Sequence, residues 1–323
     1  MDQDLKVMFI GSGAMVGNFF LPACLSAKGL APIAVFGRNI SNLKNIASRY
    51  SIPHFFTDPD DLFKLDADIA VIALPPQLHT SFAERALMRG MHVLVEKPAF
   101  LETSQGERLS ALAKEKRCFV EVNMTLRFLP IVQAMKQASL VHLKGPLQRA
   151  EIFYRVLSPG KKWYFDPELA GGGAAINVGI HAADLMCFLL NKNFQKIEFA
   201  SMKRKGFHKI EDEAVFTGYF SELEKCRCDI SWLSKEFSVK VLMADAQSSL
   251  ELHLNKQSAE IFLNGNLYQS SADAWKENLS QNALTGLADR IRNRGLSLSG
   301  LEQHRMVLNP LLSAYDAYRR KTR

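Results

Sequence analysis

Over the first 123 residues, short β-branched runs alternate with stretches of helical period. Lys6–Ile10 and Pro32–Phe36 read as strands, and Ala14–Ala27 and Ile40–Tyr50 as the helices that follow them. The rhythm continues through Ile69–Ala73, Thr80–Arg89, His92–Val95, Thr103–Lys116 and Cys118–Val122, completing strand, helix, strand, helix, strand. Strands separated by helices of about 10 to 15 residues join by right-handed crossovers into a parallel, doubly wound sheet. Beyond Pro130 the rhythm changes. Leu147–Val156, Ile197–Lys203, Ala214–Phe220, Cys226–Trp232, Val239–Ala244, Ser249–Leu254 and Ala259–Leu263 predict strands, several alternating apolar with polar. Asn264-Gly265 predicts a hairpin turn, because both residues tolerate positive φ. Helical stretches interrupt this half at Gly173–Leu190, Leu284–Arg294 and Gly300–Arg320. The expected architecture is an α/β domain over residues 1–123, followed over 124–323 by an α+β domain built on a large open, mainly antiparallel sheet, with the last helices free to pack back on the first domain.

Composition adds little to this but excludes much. A length of 323 residues with 47% hydrophobic and 23% charged positions suits two ordinary globular domains, with no heptad run or low-complexity tract. The first apolar run, Val7–Ile10, leads straight into a glycine turn, which leaves no room for a signal peptide and predicts a cytoplasmic protein. No apolar stretch is long enough to predict a membrane span. Five scattered cysteines, with a single Cys-x-Cys at Cys226 and Cys228, read as reduced buried thiols rather than a zinc site, and no metal is expected. The net charge of +7, with runs at Lys203–Lys205 and Arg319–Arg323, raises a nucleic-acid partner, but no recognition motif accompanies it. A phosphorylated cofactor or substrate rewards the same charge.

Gly11-Ser12-Gly13 directly follows the first strand and opens a helix, so backbone N–H groups from Gly11 to Met15, through Gly13 and Ala14, can meet a pyrophosphate as in a Rossmann dinucleotide site. The third glycine falls at Gly17, with Val16 where G-x-G-x-x-G requires it, so the alternative is a tight turn that simply needs glycine. The second strand ends in Val35-Phe36-Gly37-Arg38-Asn39, with no acid for the ribose hydroxyls. Arg38, with Ser41, can instead take a 2′-phosphate, which favours NADP(H) and leaves NAD(H) open; a solvated loop arginine is the plainer alternative.

The stretch VIALPPQLHTSFAERALMRGMHVLVEKP, ending in Glu96-Lys97-Pro98, resembles the Gfo/Idh/MocA oxidoreductases, the glucose-fructose oxidoreductase and inositol dehydrogenase family. Leu74 stands where that family usually has threonine before Pro75. Asn123–Pro130 is similar to the family's crossing into its substrate domain, Trp163 followed by DPELAGGGAAINVGIHAADL to its substrate-domain signature, and RIRNRG with SGLEQHRMVL to its C-terminal helices. The resemblance implies cofactor contacts at Leu74, Pro75, Glu96 and Lys97, a cis Lys97-Pro98 peptide, and Asn177 and His181 facing the nicotinamide, with His181 assisting proton transfer or binding the reacting oxygen.

Independently of the family, Lys97 ends a parallel strand, where ligands of such sheets bind, and a lysine there can relay a hydroxyl proton as hydride leaves carbon. Glu96 holds it or forms a structural ion pair. Asn177, His181 and Asp184 recur at spacings of four and three, on one helix face after Gly171-Gly172-Gly173. Many family members carry aspartate where Asn177 stands. Asparagine cannot take a proton, so Lys97 is the expected acid/base, with Asn177 and His181 as hydrogen-bonding orienters and Asp184 without a chemical role. Arg127 lines the substrate pocket or forms a domain-hinge salt bridge, the two readings being even; Trp163 lines the pocket. His79 reads first as a helix-terminating residue and second as a cofactor contact. The expected reaction is reversible hydride transfer to or from a sugar, cyclitol or nucleotide-linked sugar, in a homodimer or homotetramer formed through the second domain's sheet. The rivals are a non-catalytic dinucleotide sensor of the same fold and a hydrolase that uses NAD transiently.

Overall fold

The structure, a computed structural model, describes residues 3–206, 209–272, 279–293 and 297–322. The chain forms two compact units, residues 1–125 with 278–303 and residues 126–277 with 304–323.

In the first unit β1 (Leu5–Ile10), β2 (Leu30–Phe36), β3 (His54–Phe56), β4 (Ile69–Ile72), β5 (His92–Val95) and β6 (Val120–Val122) make an all-parallel sheet in the order β3-β2-β1-β4-β5-β6. Val7–Ile10, Ile69–Ile72 and Val93–Val95 have no solvent exposure, which is why these strands read as unbroken apolar runs. The β1–β2 register slips at Val7/Met8, opposite Pro32, which has no N–H for the ladder. The strand order reverses between β1 and β4, and the carboxyl ends at such a point are where these sheets bind ligands. Helices Ile40–Tyr50 and Thr103–Lys116 and strand β5 have the predicted bounds. The predicted helix Ala14–Ala27 instead contains a π turn at Val16–Phe20 before its α-helical part, Leu21–Ser26. β3 and the one-turn helix Pro59–Leu62 escaped the sequence reading because neither is long enough to show a period. Helix Leu279–Asn293 packs on helix Leu21–Ser26, and the Val122 N–H donates to Ser299 O at 2.9 Å, laying that segment along β6. Arg294, the predicted end of this helix, lies outside the described residues, as does Arg323 of the C-terminal basic run.

In the second unit β7 (Arg149–Arg155), β8 (Lys196–Lys203), β9 (Glu213–Tyr219), β10 (Lys225–Ser231), β11 (Ser238–Ala244), β12 (Ser249–Asn255), β13 (Ala259–Leu263) and β14 (Asn266–Ser271) form one sheet in the order β14-β13-β12-β11-β7-β10-β9-β8. Every neighbouring pair is antiparallel except β7 with β10. Ile152, Cys228, Ile230, Val241 and Leu252 fill the inner face, against helices Pro130–His142, Ala174–Asn177 and Gly179–Leu190. The outer face carries ion pairs, including Arg155–Asp229 at 2.7 Å and Lys240–Glu251 at 3.1 Å. β14 was missed as a strand because nearly all of it is exposed, so no alternation marks it. Helix Pro130–His142 was missed too, although Ile131, Val132, Met135 and Ala138 bury one helical stripe. The predicted helix Gly173–Leu190 is broken at Val178, between Ala174–Asn177 and Gly179–Leu190. The cysteines are all buried and free of disulfides. Among the described residues, no single helix is long and apolar enough to cross a membrane.

Candidate active site

One group of candidate residues sits in the first unit, at the carboxyl ends of β1, β2, β4 and β5. Gly11 has φ of 130°, open to glycine but not to residues with a Cβ, and an added Cβ would lie 2.4 Å from the Ala73 carbonyl oxygen. The end of β1 therefore passes the end of β4 only as glycine. Gly37, just after β2, is also closely approached, since a Cβ there would meet Ser12 Oγ at 2.4 Å. Helix begins at Ala14, so the N–H groups of Gly13, Ala14 and Met15 belong to a helix start, where no earlier turn satisfies them. A tight glycine cradle opening onto helix N–H groups fits a dinucleotide diphosphate. At the end of β2, Arg38 and Ser41 are exposed, and Asn39 caps helix Ile40–Tyr50 by accepting the Asn42 N–H at 2.9 Å.

Leu74 and Pro75 follow β4, and Glu96 and Lys97 follow β5; the Lys97-Pro98 peptide is cis. His79 ties the two strand ends together. Its buried ring lies 2.7 Å from Leu74 O through Nε2 and 2.7 Å from Pro98 O through Nδ1, and burial holds its pKa below the ordinary histidine value against the pull of those carbonyls. Desolvation lowers the Lys97 ammonium to about 8, with the Glu96 carboxylate pulling the other way. Glu96 in turn is raised by burial, while the Asn123 side-chain amide donates to it at 2.7 Å. Asn123, which opens the Asn123–Pro130 stretch, thereby links the ends of β5 and β6.

A second group of candidate residues lies in the second unit, on the helices under the eight-stranded sheet. From Ala174 to Leu189 every residue is buried except Asn177 and His181, which are half-buried, so the wall of this apolar layer opens at those two side chains. The break at Val178 leaves Asn177 ending one helix and His181 in the first turn of the next. The His181 ring stacks on Tyr154 of β7, centroids 6.0 Å apart, and Phe237 meets Tyr154 edge-on at 6.1 Å. Burial raises the Tyr154 phenol pKa, so it stays neutral.

Glu211 sets the start of the first helix. Its Oε1 accepts the N–H groups of Gly173 and Ala175 at 2.9 and 3.0 Å, its backbone carbonyl accepts that of Ala174 at 2.9 Å, and Tyr315 donates to Oε2 at 3.0 Å. Gly172 and Gly173 are glycine because added Cβ atoms would approach Tyr315 Oη to 2.8 Å and Glu211 O to 2.1 Å. No motif in the sequence pointed to Glu211, which is 38 residues from the group it caps. Arg127 makes a bidentate salt bridge to Asp184, Nε to Oδ2 at 2.9 Å and Nη2 to Oδ1 at 2.6 Å, both residues belonging to the second unit. Both side chains are buried. Trp163 is half-buried in a short helical turn and stacks on Tyr164 with ring centroids 3.7 Å apart. Among the described residues, no group of three or more His, Cys, Asp or Glu side chains could hold a metal ion.

Comparison with known proteins places both units. Residues 5–124 match the family model GFO_IDH_MocA, described as an oxidoreductase family with an NAD-binding Rossmann fold, and residues 132–260 match the GFO/IDH/MocA C-terminal domain. Oxidoreductase P35 of Formosa agariphila is 28% identical over 195 residues, covering 58% of this chain and 61% of the relative, so the match spans less than two thirds of that protein. D-glucoside 3-dehydrogenase of Escherichia coli is 24% identical over 252 residues, 73% of this chain and 71% of that one. The structure of the WlbA dehydrogenase of Chromobacterium violaceum, in complex with NADH and UDP-GlcNAcA, shares the fold with a TM-score of 0.82 at 18% identity, covering 99% of this chain and 95% of that one.

Proposed function

The chain belongs to the GFO/IDH/MocA oxidoreductase family, and from that premise we propose that it moves a hydride between a nicotinamide dinucleotide and a secondary alcohol or ketone of a sugar, cyclitol or nucleotide-linked sugar. The observation that carries the reading is Lys97. An ammonium brought down to about 8 at the carboxyl end of a parallel strand exchanges its proton near neutral pH, which a solvated lysine does not. Bound at the glycine cradle, the cofactor supplies the two-electron acceptor or donor. The backbone from Gly11 to Met15 holds its diphosphate, and Arg38 with Ser41 takes a 2′-phosphate, favouring NADP(H) over NAD(H).

Lys97 Nζ accepts the hydroxyl proton of the alcohol as its carbonyl forms, and returns it in the reverse direction. Asn177 and His181 hydrogen-bond the reacting oxygen and orient it, and the exposed part of the Trp163 ring offers the apolar face of a sugar a flat surface. The names of D-glucoside 3-dehydrogenase and of the WlbA complex with UDP-GlcNAcA support the carbohydrate class.

The test is a titration of NADPH and NADH into the purified protein, followed by turnover on a panel of ketosugars and nucleotide sugars, for the wild type and Lys97→Met. Binding with turnover that Lys97→Met abolishes supports the reading. Binding without turnover on any substrate moves it to the sensor.

A further inference from the structure

After Gly11-Ser12-Gly13 the third glycine comes one place late, at Gly17, and the helix that starts at Ala14 carries a π turn at Val16–Phe20. A π turn closes residue i on i−5 rather than i−4, so it accommodates one residue more than an α turn. Accordingly the Leu21 N–H donates to the Val16 carbonyl. The next rung would run from residue 22 to Gly17, but residue 22 is proline and has no N–H. The Gly17 carbonyl is thus denied a helical donor from Leu21 and from Pro22 alike. Its donor is the phenol of Tyr50, at 2.6 Å. Tyr50 ends helix Ile40–Tyr50, which begins beside Arg38, and Asn42 on the same helix donates its side-chain amide to Ser12 O at 2.5 Å. One helix therefore grips the glycine loop on both sides of the point where its own helix starts.

We infer that Tyr50 is a positioning residue for the dinucleotide. By supplying the donor that Pro22 lacks, its hydroxyl holds the π turn, and the π turn aims the N–H groups of Gly13, Ala14 and Met15 in register with the Arg38–Ser41 segment. Tyr50 acts through Gly17 rather than by touching the cofactor. Loss of the hydroxyl leaves the Gly17 carbonyl short of a partner, and the helix start relaxes away from its aim to recover one. The inference rests on the dinucleotide reading of the glycine loop.

The test compares the wild type, Tyr50→Phe and the double variant Tyr50→Phe/Pro22→Ala. NADPH and NADH affinities are measured by titration calorimetry, with thermal melting and amide hydrogen exchange across residues 14–22 as independent readouts. Tyr50→Phe weakens both dinucleotides about fivefold, the effect of one hydrogen bond, speeds exchange in that segment and lowers the melting temperature by no more than about 3 °C. Adding Pro22→Ala gives residue 22 an N–H for Gly17 and restores affinity to within about twofold of the wild type. Wild-type affinity in Tyr50→Phe overturns the inference, whether or not the melting temperature falls, and so does a double variant that binds no better than the single one. A wild type that binds neither dinucleotide overturns the reading of the loop and this inference with it; a wild type that binds, matched by Tyr50→Phe, removes the role of Tyr50 alone.

Discussion

Replacing Lys97 with methionine should make the protein more stable while removing its turnover. The native ammonium titrates at about 8, against an ordinary value of 10.5, because desolvation disfavours the charged form more than Glu96 favours it. That difference is worth about 3 kcal/mol. The folded-state pKa is depressed below the unfolded one, so below about pH 8 both states are protonated and folding carries the full cost of the buried charge. The cost fades as pH rises from about 8 toward 10.5, where the native lysine is already neutral and the unfolded one is not. Lys97 is half-buried, so water screens part of this, and Glu96 loses its cationic neighbour in the variant while keeping the Asn123 amide. The net gain at pH 7 is therefore about 1 to 2 kcal/mol, or roughly 2 to 6 °C in melting temperature. Calorimetry at pH 7 and pH 10 checks it: the advantage of Lys97→Met should shrink at the higher pH. For the wild type, the rate of alcohol oxidation should rise with pH through about 8, as Lys97 loses the proton it must accept, and the rate of ketone reduction should fall through the same range. A variant less stable than the wild type at pH 7, or an advantage that grows with pH, refutes the account of the lysine; oxidation rates that do not change between pH 7 and pH 9 refute its role in proton transfer.

Three further outcomes follow from the same structure. Arg38→Ala should weaken NADPH binding about tenfold and leave NADH within about twofold, because only the 2′-phosphate meets the guanidinium; unchanged NADPH affinity in a binding titration overturns the account of that loop. Arg127→Ala leaves Asp184 buried without its bidentate partner and should cost about 3 to 5 kcal/mol in urea unfolding; a loss below about 1 kcal/mol would mean that the pair is dispensable to the fold. Phe153, Val215 and Phe262 sit only half-buried on the outer face of the eight-stranded sheet, so a second copy covering that face is expected; light scattering at micromolar concentration should give a dimer or tetramer, and a monomer removes the proposal.

What could be read in advance follows how locally each feature is encoded. β5 and helix Thr103–Lys116 have the bounds their patterns predict, since burial on both strand faces and a capping box at Glu102 and Gln105 both write themselves into consecutive residues. The place of Lys97 at a strand end was equally legible, because that strand and the proline that follows are adjacent in the chain. The π turn was half legible: a glycine one place late and Pro22 five residues beyond it are its marks, yet their meaning depends on a phenol from the next helix. Glu211 was not legible at all. Nothing near it distinguishes it from any other carboxylate in a loop before a strand, and its purpose appears only when the fold carries Gly173–Ala175 to it. Yet Gly172 and Gly173 did record its presence, from the other side. A pair of glycines at a helix start, where serine or aspartate would ordinarily cap, implies that the cap comes from elsewhere and needs the room their side chains would fill. The absent Cβ atoms are therefore the local trace of a distant residue, and a glycine run before a polar helix face is a reason to look for a buried carboxylate far away in the sequence.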